Sequence, residues 1–195
     1  MQASKQQKHA REPEMRCPRC GTESLPEQRF CGNCGAALAP STLPAEERRL
    51  VTVLFADVTG STAMGENLDP EDVRALLARF YALAKEIVTA HGGTVEKFIG
   101  DAVLAVFGLP TAHGDDAERA AAAALELRDR VKSDARLGER LPIRIGINTG
   151  EVVATRDPAA EDFLVTGDAV NTAARLQQNA EPWVILCGER TARAA

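Results

Sequence analysis

Two aspartates stand where a strand or a hairpin ends, and they could hold divalent cations. Asp57 closes the apolar run LVTVLFAD, and Asp101 lies at the tip of a predicted turn in KFIGDAVL. A carboxylate at the end of a buried strand is costly unless a cation compensates its charge. Two carboxylates on adjacent strand ends can hold a pair of Mg²⁺ ions for in-line displacement at phosphorus. Taken singly, each aspartate is more often an ordinary turn, loop or cap residue.

Groups suited to phosphate occur near these aspartates and on a predicted helix. The loop after the first aspartate has small residues whose backbone N–H groups could face a triphosphate, namely Gly60, Ser61 and Thr62. Asn171 and Arg175 are four residues apart, so they project from the same face of the helix. A guanidinium offers a fork of donors to phosphate oxygens and keeps its charge at any working pH. The four-residue spacing alone is also typical of a polar helix face that is exposed to solvent.

Four cysteines near the N-terminus have the spacing of a metal site. The stretch CPRCGTESLPEQRFCGNCG holds two C-x2-C pairs, each followed by Gly, that supply Cys17, Cys20, Cys31 and Cys34. Four thiolates suit tetrahedral zinc, and each Gly permits the sharp turn that the pair requires. Because so short a segment cannot bury a core, we expect one structural Zn²⁺ to supply its folding free energy. Two disulfides are the alternative, which the paired spacing disfavours. Cys187 is expected to be a small buried hydrophobe.

Length and composition favour one domain preceded by a small module. Within the 195 residues we expect a flexible N-terminus at 1–14, a zinc ribbon at 15–38, a linker at 39–48 and a second domain at 49–195. No apolar run reaches the ~20 residues of a membrane span, and no secretory signal is present, so a cytoplasmic location is expected. The net charge of −5 argues against nucleic acid as a partner. In the ribbon itself, one Phe (Phe30) and scattered Arg residues do not make a nucleic-acid surface, so a protein-contact or regulatory module is expected.

The predicted elements follow the order β-α-β-β-α-β-β-α-β. LVTVLFAD is typical of a central strand buried on both faces. Helices are predicted after Asp69, from about Asp115 to Val131, and over GDAVNTAARLQQNA, while WVILC is predicted as a last strand. A hairpin is predicted about Gly100–Asp101, and a further strand pair about an Asn148–Gly150 turn. This order indicates an α+β sandwich with helices on one face of a largely antiparallel sheet.

Four motifs together resemble a class III adenylyl/guanylyl cyclase catalytic domain. They are VTVLFADVTGST, VEKFIGDAVLAVFG, IRIGINTGEVV and GDAVNTAARLQ, which follow the family's order from about residue 49 to the end of the chain. The resemblance implies a ferredoxin-like, palm-type sheet and the conversion of ATP to 3′,5′-cyclic AMP and pyrophosphate. It also implies two Mg²⁺ or Mn²⁺ ions per active site. In the family, the metal ligands come from one domain and the Asn/Arg pair from another. Because this one chain matches both sets, a homodimer with composite active sites is expected.

The same resemblance implies a role for each candidate residue. Asp57 and Asp101 match the two metal-binding aspartates, and Lys97 matches the position that contacts adenine. Three more positions match groups that act on the ribose and the phosphates: Asn171 for ribose orientation, Arg175 for charge on the α-phosphate, and Arg144 for the triphosphate.

Two features depart from the family's pattern. The second base-selecting position, seven residues before the helix Asn, is Leu164, which cannot hydrogen-bond a base edge. Asp162 or Thr166 could substitute if the loop is shifted, and ATP is favoured over GTP because of Lys97. The family continues beyond WVILCGERTARAA, so we expect a C-terminally incomplete domain.

Other functions remain open at the level of sequence. A guanylyl or other nucleotide cyclase would use the same residues with another base. A catalytically silent, cyclase-like regulatory domain is motivated by Leu164 and by the short C-terminal end. The ribbon could be the primary module, as a nucleic-acid or protein adaptor, although the acidic balance speaks against nucleic acid. A diguanylate cyclase is disfavoured because its Gly-Gly-acidic-acidic-Phe hairpin is replaced by KFIGDAV.

Overall fold

Two short antiparallel strands, β1 (Met15–Arg16) and β2 (Glu23–Ser24), belong to the N-terminal unit of the chain. The structure, a computed structural model, describes residues 15–17, 19–24, 30–36, 38, 45–60, 68–156 and 163–195. The chain divides into two units between residues 44 and 45. The flexible N-terminus predicted at 1–14 lies outside the described residues.

A six-stranded sheet forms the second unit, with a long central strand. Its strands are β3 (Ala45–Val58), β4 (Thr94–Ile99), β5 (Ala102–Phe107), β6 (Ile143–Arg156), β7 (Phe163–Thr166) and β8 (Ile185–Cys187). The order is β4-β5-β3-β6-β7, and β8 also pairs with β6. All pairings are antiparallel except β6 with β8. The prediction of a largely antiparallel sheet is therefore confirmed.

Three of the four described α-helices lie where the sequence predicts them, and the short last helix was not predicted. The four are α1 (Pro70–Ala90), α2 (Asp116–Ser133), α3 (Asp168–Asn179) and the short α4 (Glu189–Ala194). At the start of α1 the Asp69 side chain accepts the Glu71 N–H at 3.0 Å, which satisfies one of the free donors of the first turn. Among the described residues, no helix combines the length and the apolarity that crossing a bilayer requires.

Helices cover both faces of the sheet, so the expectation of helices on one face is wrong. Leu54 and Ala56 of β3 join the core formed with α1 and α2. Val53 and Phe55, on the opposite side of the same strand, join the core formed with α3. A central strand that is apolar on both sides needs cover on both sides. We call the side on which α3 packs the α3 face.

The predicted strand pair about Asn148–Gly150 is also wrong, because these residues lie inside the continuous strand β6. They pair with Val53, Thr52 and Val51 of β3 in register. A Cβ on Gly150 would lie 2.8 Å from the Ala169 Cβ, and one on Gly146 would lie 2.3 Å from the Ala173 carbonyl oxygen. Both glycines therefore allow α3 to approach the sheet, and neither makes a turn.

Two smaller differences concern β3 and Cys187. The strand β3 begins at Ala45, inside the predicted linker at 39–48, because the polar run from Glu46 to Arg49 pairs with β6 from Thr155 to Val152. Cys187 is exposed although a buried position was expected. It lies in β8, which pairs with β6 along one side.

Candidate active site

Three neighbouring strands bring the first aspartate, the second aspartate and an arginine to one end of the sheet. In the strand register Asp57 of β3 lies opposite Ala102 of β5 and opposite Arg144 of β6. Asp101 directly precedes Ala102 in the turn that joins β4 and β5, where Gly100 has a φ of +62°. Gly100 is suited to this turn because it has no Cβ. The structure thus brings the two aspartates to adjacent strand ends.

The Asp57 carboxylate is nearly buried, and its charge is compensated. Its side chain is 15% exposed. Its Oδ2 accepts hydrogen bonds from Arg144 Nη2 at 2.9 Å and Nε at 3.3 Å, and from Gln177 Nε2 at 2.8 Å. Arg144 Nη1 also donates to the Gln178 carbonyl oxygen at 3.1 Å. These bonds fix the carboxylate through Oδ2, and Oδ1 is the oxygen that they do not use.

Sequence reasoning missed Gln177. This residue is 4% exposed and lies on the side of α3 that also buries Ala169 and Ala173, each four residues from the next. A polar residue on an apolar helix stripe must find a hydrogen-bond partner, and Asp57 is that partner. The polar interruption of this stripe is the signal that could have revealed it.

A tyrosine from α1 holds the turn that carries Asp101. The Tyr81 hydroxyl donates to the Gly100 carbonyl oxygen. Its ring lies 4.4 Å, centroid to centroid, from the Phe98 ring. Burial, and secondarily the negative charge of Asp101, raises the pKa of Tyr81. Tyr81 therefore stays a neutral donor near the carboxylate.

Lys97 faces the same side of the sheet as Asp57. In β4 it pairs with Leu104 of β5, whose side chain belongs to the α3 face. The Lys97 Nζ lies 3.1 Å from Glu96 Oε1, and the Lys97 side chain is 43% exposed. Its ammonium group is thus held on the α3 face while remaining open to solvent.

Asn171 and Arg175 lie on the exposed side of α3, opposite its buried stripe. Both residues are exposed, and they share one side of the helix as their four-residue spacing predicts. No described hydrogen bond joins either side chain to Asp57 or Asp101. A single chain therefore presents these two side chains to solvent.

The small-residue loop is described only at its beginning. Thr59 is anchored because its backbone N–H and its hydroxyl both donate to the Pro142 carbonyl oxygen, at 2.8 Å and 2.9 Å. Gly60 is exposed with a φ of +75°. Ser61 and Thr62 lie outside the described residues.

Leu164, at the position that the family resemblance associates with base selection, lies on β7. Leu164 is 50% exposed and pairs with Thr155 of β6. Of the two residues that could substitute for it, Thr166 is exposed at the end of β7, and Asp162 lies outside the described residues. The side chain of Leu164 has no polar atom for a base.

The four predicted zinc ligands come together in the N-terminal unit. The Sγ atoms of Cys17, Cys20, Cys31 and Cys34 all lie within 4.8 Å of one another. Each pair is closed by an equivalent backbone hydrogen bond: Gly21 N–H donates to the Cys17 carbonyl oxygen, and Gly35 N–H donates to the Cys31 carbonyl oxygen, both at 2.9 Å. The Thr22 hydroxyl, 3.2 Å from the Cys20 Sγ, chiefly lowers the pKa of that thiol to about 6. This donor set fits a structural zinc ion.

Comparison with known proteins identifies both parts of the chain. Residues 43–195 match the family described as Adenylate and Guanylate cyclase catalytic domain, and residues 16–38 match a zinc-ribbon domain. Adenylate cyclase 1 of Rhizobium meliloti (strain 1021) is 36% identical over 137 residues, which cover 67% of this chain and 21% of that protein. The chain spans 21–28% of the length of the curated relatives it matches.

Solved structures agree with this match. The dimeric guanylyl cyclase domain of the RhoGC fusion protein from the aquatic fungus Blastocladiella emersonii superposes with a TM-score of 0.70 and 33% identity, over 76% of this chain and 84% of that chain. The adenylyl cyclase CyaB from P. aeruginosa superposes with a TM-score of 0.67 and 30% identity, over 77% of this chain and 82% of that chain. The chain therefore belongs to the family of adenylate and guanylate cyclase catalytic domains, with a zinc ribbon before the cyclase domain.

Proposed function

We propose that residues 49–195 convert ATP to 3′,5′-cyclic AMP and pyrophosphate. The ribose 3′-oxygen attacks the α-phosphorus, and the bond from that phosphorus to the bridging oxygen of the β-phosphate breaks. The observation that carries the proposal is the row of Asp57, Ala102 and Arg144 across three strands, with Asp101 beside it. This row places two carboxylates and one guanidinium at the same end of the sheet.

Asp57 and Asp101 are proposed as the ligands of two Mg²⁺ or Mn²⁺ ions. Carboxylate oxygens are the ligands that these hard cations prefer, and Oδ1 of Asp57 is free of the bonds that hold Oδ2. Two such ions supply charge neutralisation for the triphosphate and a lower pKa for the 3′-hydroxyl. The chain's own contribution is rigidity, because Gln177 holds one carboxylate and Tyr81 holds the turn of the other.

Arg144 and the beginning of the small-residue loop are proposed to bind the triphosphate. The Arg144 side chain is 28% exposed and lies beside Asp57, so its free donors can reach phosphate oxygens close to the carboxylates. Gly60, Ser61 and Thr62 would add backbone N–H groups. Catalysis then consists mainly of positioning and of charge stabilisation.

Lys97 is proposed to select adenine. An ammonium group donates hydrogen bonds and accepts none, so it fits the N1 acceptor of adenine better than the N1–H of guanine. The proposal for ATP depends on this residue because Leu164 offers no hydrogen bond. Relatives named for adenylate and for guanylate cyclisation both match the chain, so the base is the point that most requires a measurement.

Asn171 and Arg175 are proposed to act on the ribose and the α-phosphate in a site completed by a second copy of the chain. Their exposure on α3 supports this arrangement, because a single chain leaves both without a described contact to Asp57 or Asp101. A mixture of Asp57→Asn and Arg175→Ala chains should recover activity, since a mixed dimer contains one intact site. If the mixture stays as inactive as its components, the composite site is wrong.

For the ribbon we propose one structural zinc ion and a protein partner. Phe30 is 63% exposed, so its apolar ring is available for such a contact. Deleting residues 1–38 should leave the chemistry intact and change regulation or dimer affinity. A deletion that abolishes cyclisation in a folded domain would contradict this separation of roles.

The test of the proposed function is product identification. The full chain is incubated with ATP, GTP, CTP or UTP and Mn²⁺, and the products are identified by mass spectrometry. We expect cyclic AMP from the parent and none from Arg175→Ala. The matched control is Arg130→Ala, an exposed arginine of α2 that pairs with Glu86 and Glu126 on the other side of the sheet. A different cyclic product would overturn the base assignment, and no product from any nucleotide would overturn the activity.

A further inference from the structure

Glu96 is a buried carboxylate that the proposed reaction does not use. Its side chain is 5% exposed although β4 is an edge strand. Within the described part of the chain, Glu96 Oε2 is one of two buried side-chain oxygens without a hydrogen-bond partner. Burying an unsatisfied carboxylate oxygen costs stability, so its retention calls for a functional reason.

Glu96 is the extra residue of a β-bulge. Val95 pairs with Ala105 and Lys97 pairs with Leu104, so two steps along β4 match one step along β5. In regular alternation the residue after Glu96 would turn to the opposite side of the sheet. The bulge instead places Lys97 with Leu104 on the α3 face, where Asp57 also lies. Bulges near functional sites commonly re-aim a side chain in this way.

The Glu96 carboxylate also joins the two segments expected to meet the base. Its Oε1 lies 3.1 Å from Lys97 Nζ and accepts the Val165 backbone N–H at 3.4 Å. Val165 directly follows Leu164 in β7, so one carboxylate connects both positions. Because an ammonium group has three donors, Lys97 can keep one on Glu96 and offer another to a ligand.

We infer that Glu96 is a positioning residue for base selection, acting through Lys97. The buried carboxylate holds the Lys97 ammonium on the α3 face at a fixed distance from β7, so that an adenine ring is accepted in preference to guanine. This inference rests on the proposed function and deepens it. It assigns base selection to a Glu96–Lys97 pair in a chain where Leu164 cannot contribute.

The test compares kcat/KM for ATP and for GTP in the full chain, its Glu96→Gln and Lys97→Ala variants, and the double variant. Glutamine keeps the size and an acceptor oxygen for the Val165 N–H but loses the charge that holds Lys97. We expect E96Q to lower the ATP/GTP ratio about tenfold, mainly through KM. In the K97A background the same change should have no further effect on the ratio. Glu126→Gln on α2, which alters the hydrogen-bonded contact between Glu126 and His91, is the matched control and should leave the ratio unchanged.

Three results would overturn the inference. The first is an unchanged ATP/GTP ratio of kcat/KM in folded E96Q. The second is an equal loss of kcat/KM with both nucleotides, accompanied by a lower Tm. The third is an effect of E96Q on the ratio that is as large in the K97A background as in the parent. Should E96Q fail to fold, Glu96→Asp retains the charge, retracts the carboxylate and should also lower the ratio. A parent that forms no cyclic product indicates failure of the proposed function itself. In that case, Kd values for ATP and for GTP are measured by calorimetry. An ATP/GTP ratio of Kd that is the same in the parent and in E96Q overturns the role of Glu96.

Discussion

Gly146 lies where the α3 backbone leaves no room for a Cβ on β6, and its replacement by alanine tests how this helix is held. The added Cβ would lie 2.3 Å from the Ala173 carbonyl oxygen and 2.3 Å from the Gln177 backbone nitrogen. Because both atoms belong to the backbone of α3, the helix must move about 1 Å to restore van der Waals contact. Overpacking of this kind costs about 3 kcal/mol, which corresponds to a fall of about 6–12 °C in Tm for a domain of this size.

The same displacement moves the side chains that α3 carries. A misplacement of about 1 Å can cost about 100-fold in rate, so we expect G146A to lose about 100-fold in kcat. Calorimetry gives Tm, and cyclic nucleotide formation is measured at a temperature below both melting transitions. The matched control is Gly138→Ala, whose Cβ would meet only the Lys132 carbonyl oxygen at 3.2 Å. A G146A protein with the Tm and kcat of the parent would refute the packing of α3 against β6.

Three further predictions concern the turn that carries Asp101, the dependence of stability on pH, and the removal of zinc. Tyr81→Phe removes the hydroxyl that holds Gly100 beside Asp101, so the Mn²⁺ concentration for half-maximal activity should rise about fivefold; an unchanged titration would contradict this. The Arg79 guanidinium chiefly lowers the pKa of Asp134 to about 2, and the stabilisation that results is present above the unfolded value near 4 and is lost as pH falls to about 2. The Tm difference between parent and Asp134→Asn should therefore shrink from pH 6 to pH 2, and a constant difference would contradict the assignment. Chelation should release one zinc ion and leave the far-UV helical signal, because the described helices all lie after residue 44; loss of that signal would contradict independent folding.

The boundaries of α1 were predictable because short-range signals set them. Asp69 caps α1, Pro70 occupies its first position, and Gly92 follows its end with a φ of +76°. The local positions of Asp57 and Asp101 were predictable for a related reason, but the pairing of β3 with β5 that makes them adjacent was not. One ends a buried strand and the other occupies a hairpin tip, and both positions follow from the local pattern.

The path of β6 was not predictable from local signals. Asn-Thr-Gly is typical of a turn, yet Gly150 serves the approach of Ala169 on α3, a residue 19 positions away in the chain. A glycine required for a turn and a glycine required for close packing look alike in a sequence. The distinction depends on where a distant helix packs, which is a property of the tertiary structure.

Glu96 and Gln177 were missed because their environments are created by tertiary contacts. The bulge that buries Glu96 is set by the register between β4 and β5, and its Val165 contact crosses from one edge strand of the sheet to another. Gln177 meets Asp57 only after α3 has packed on β6. In the sequence, Glu96 and Gln177 can be recognised only as a charged or polar residue that interrupts an apolar stripe.

We propose that this chain cyclises a nucleoside triphosphate at the strand ends that carry Asp57 and Asp101. The most direct test measures cyclic AMP and pyrophosphate together, from ATP and Mn²⁺, for the full chain and for Asp57→Asn. We expect equal molar amounts of the two products from the parent and at least about 100-fold less of both from the variant. Release of ADP and phosphate without cyclic AMP, or a variant as active as the parent, would contradict it.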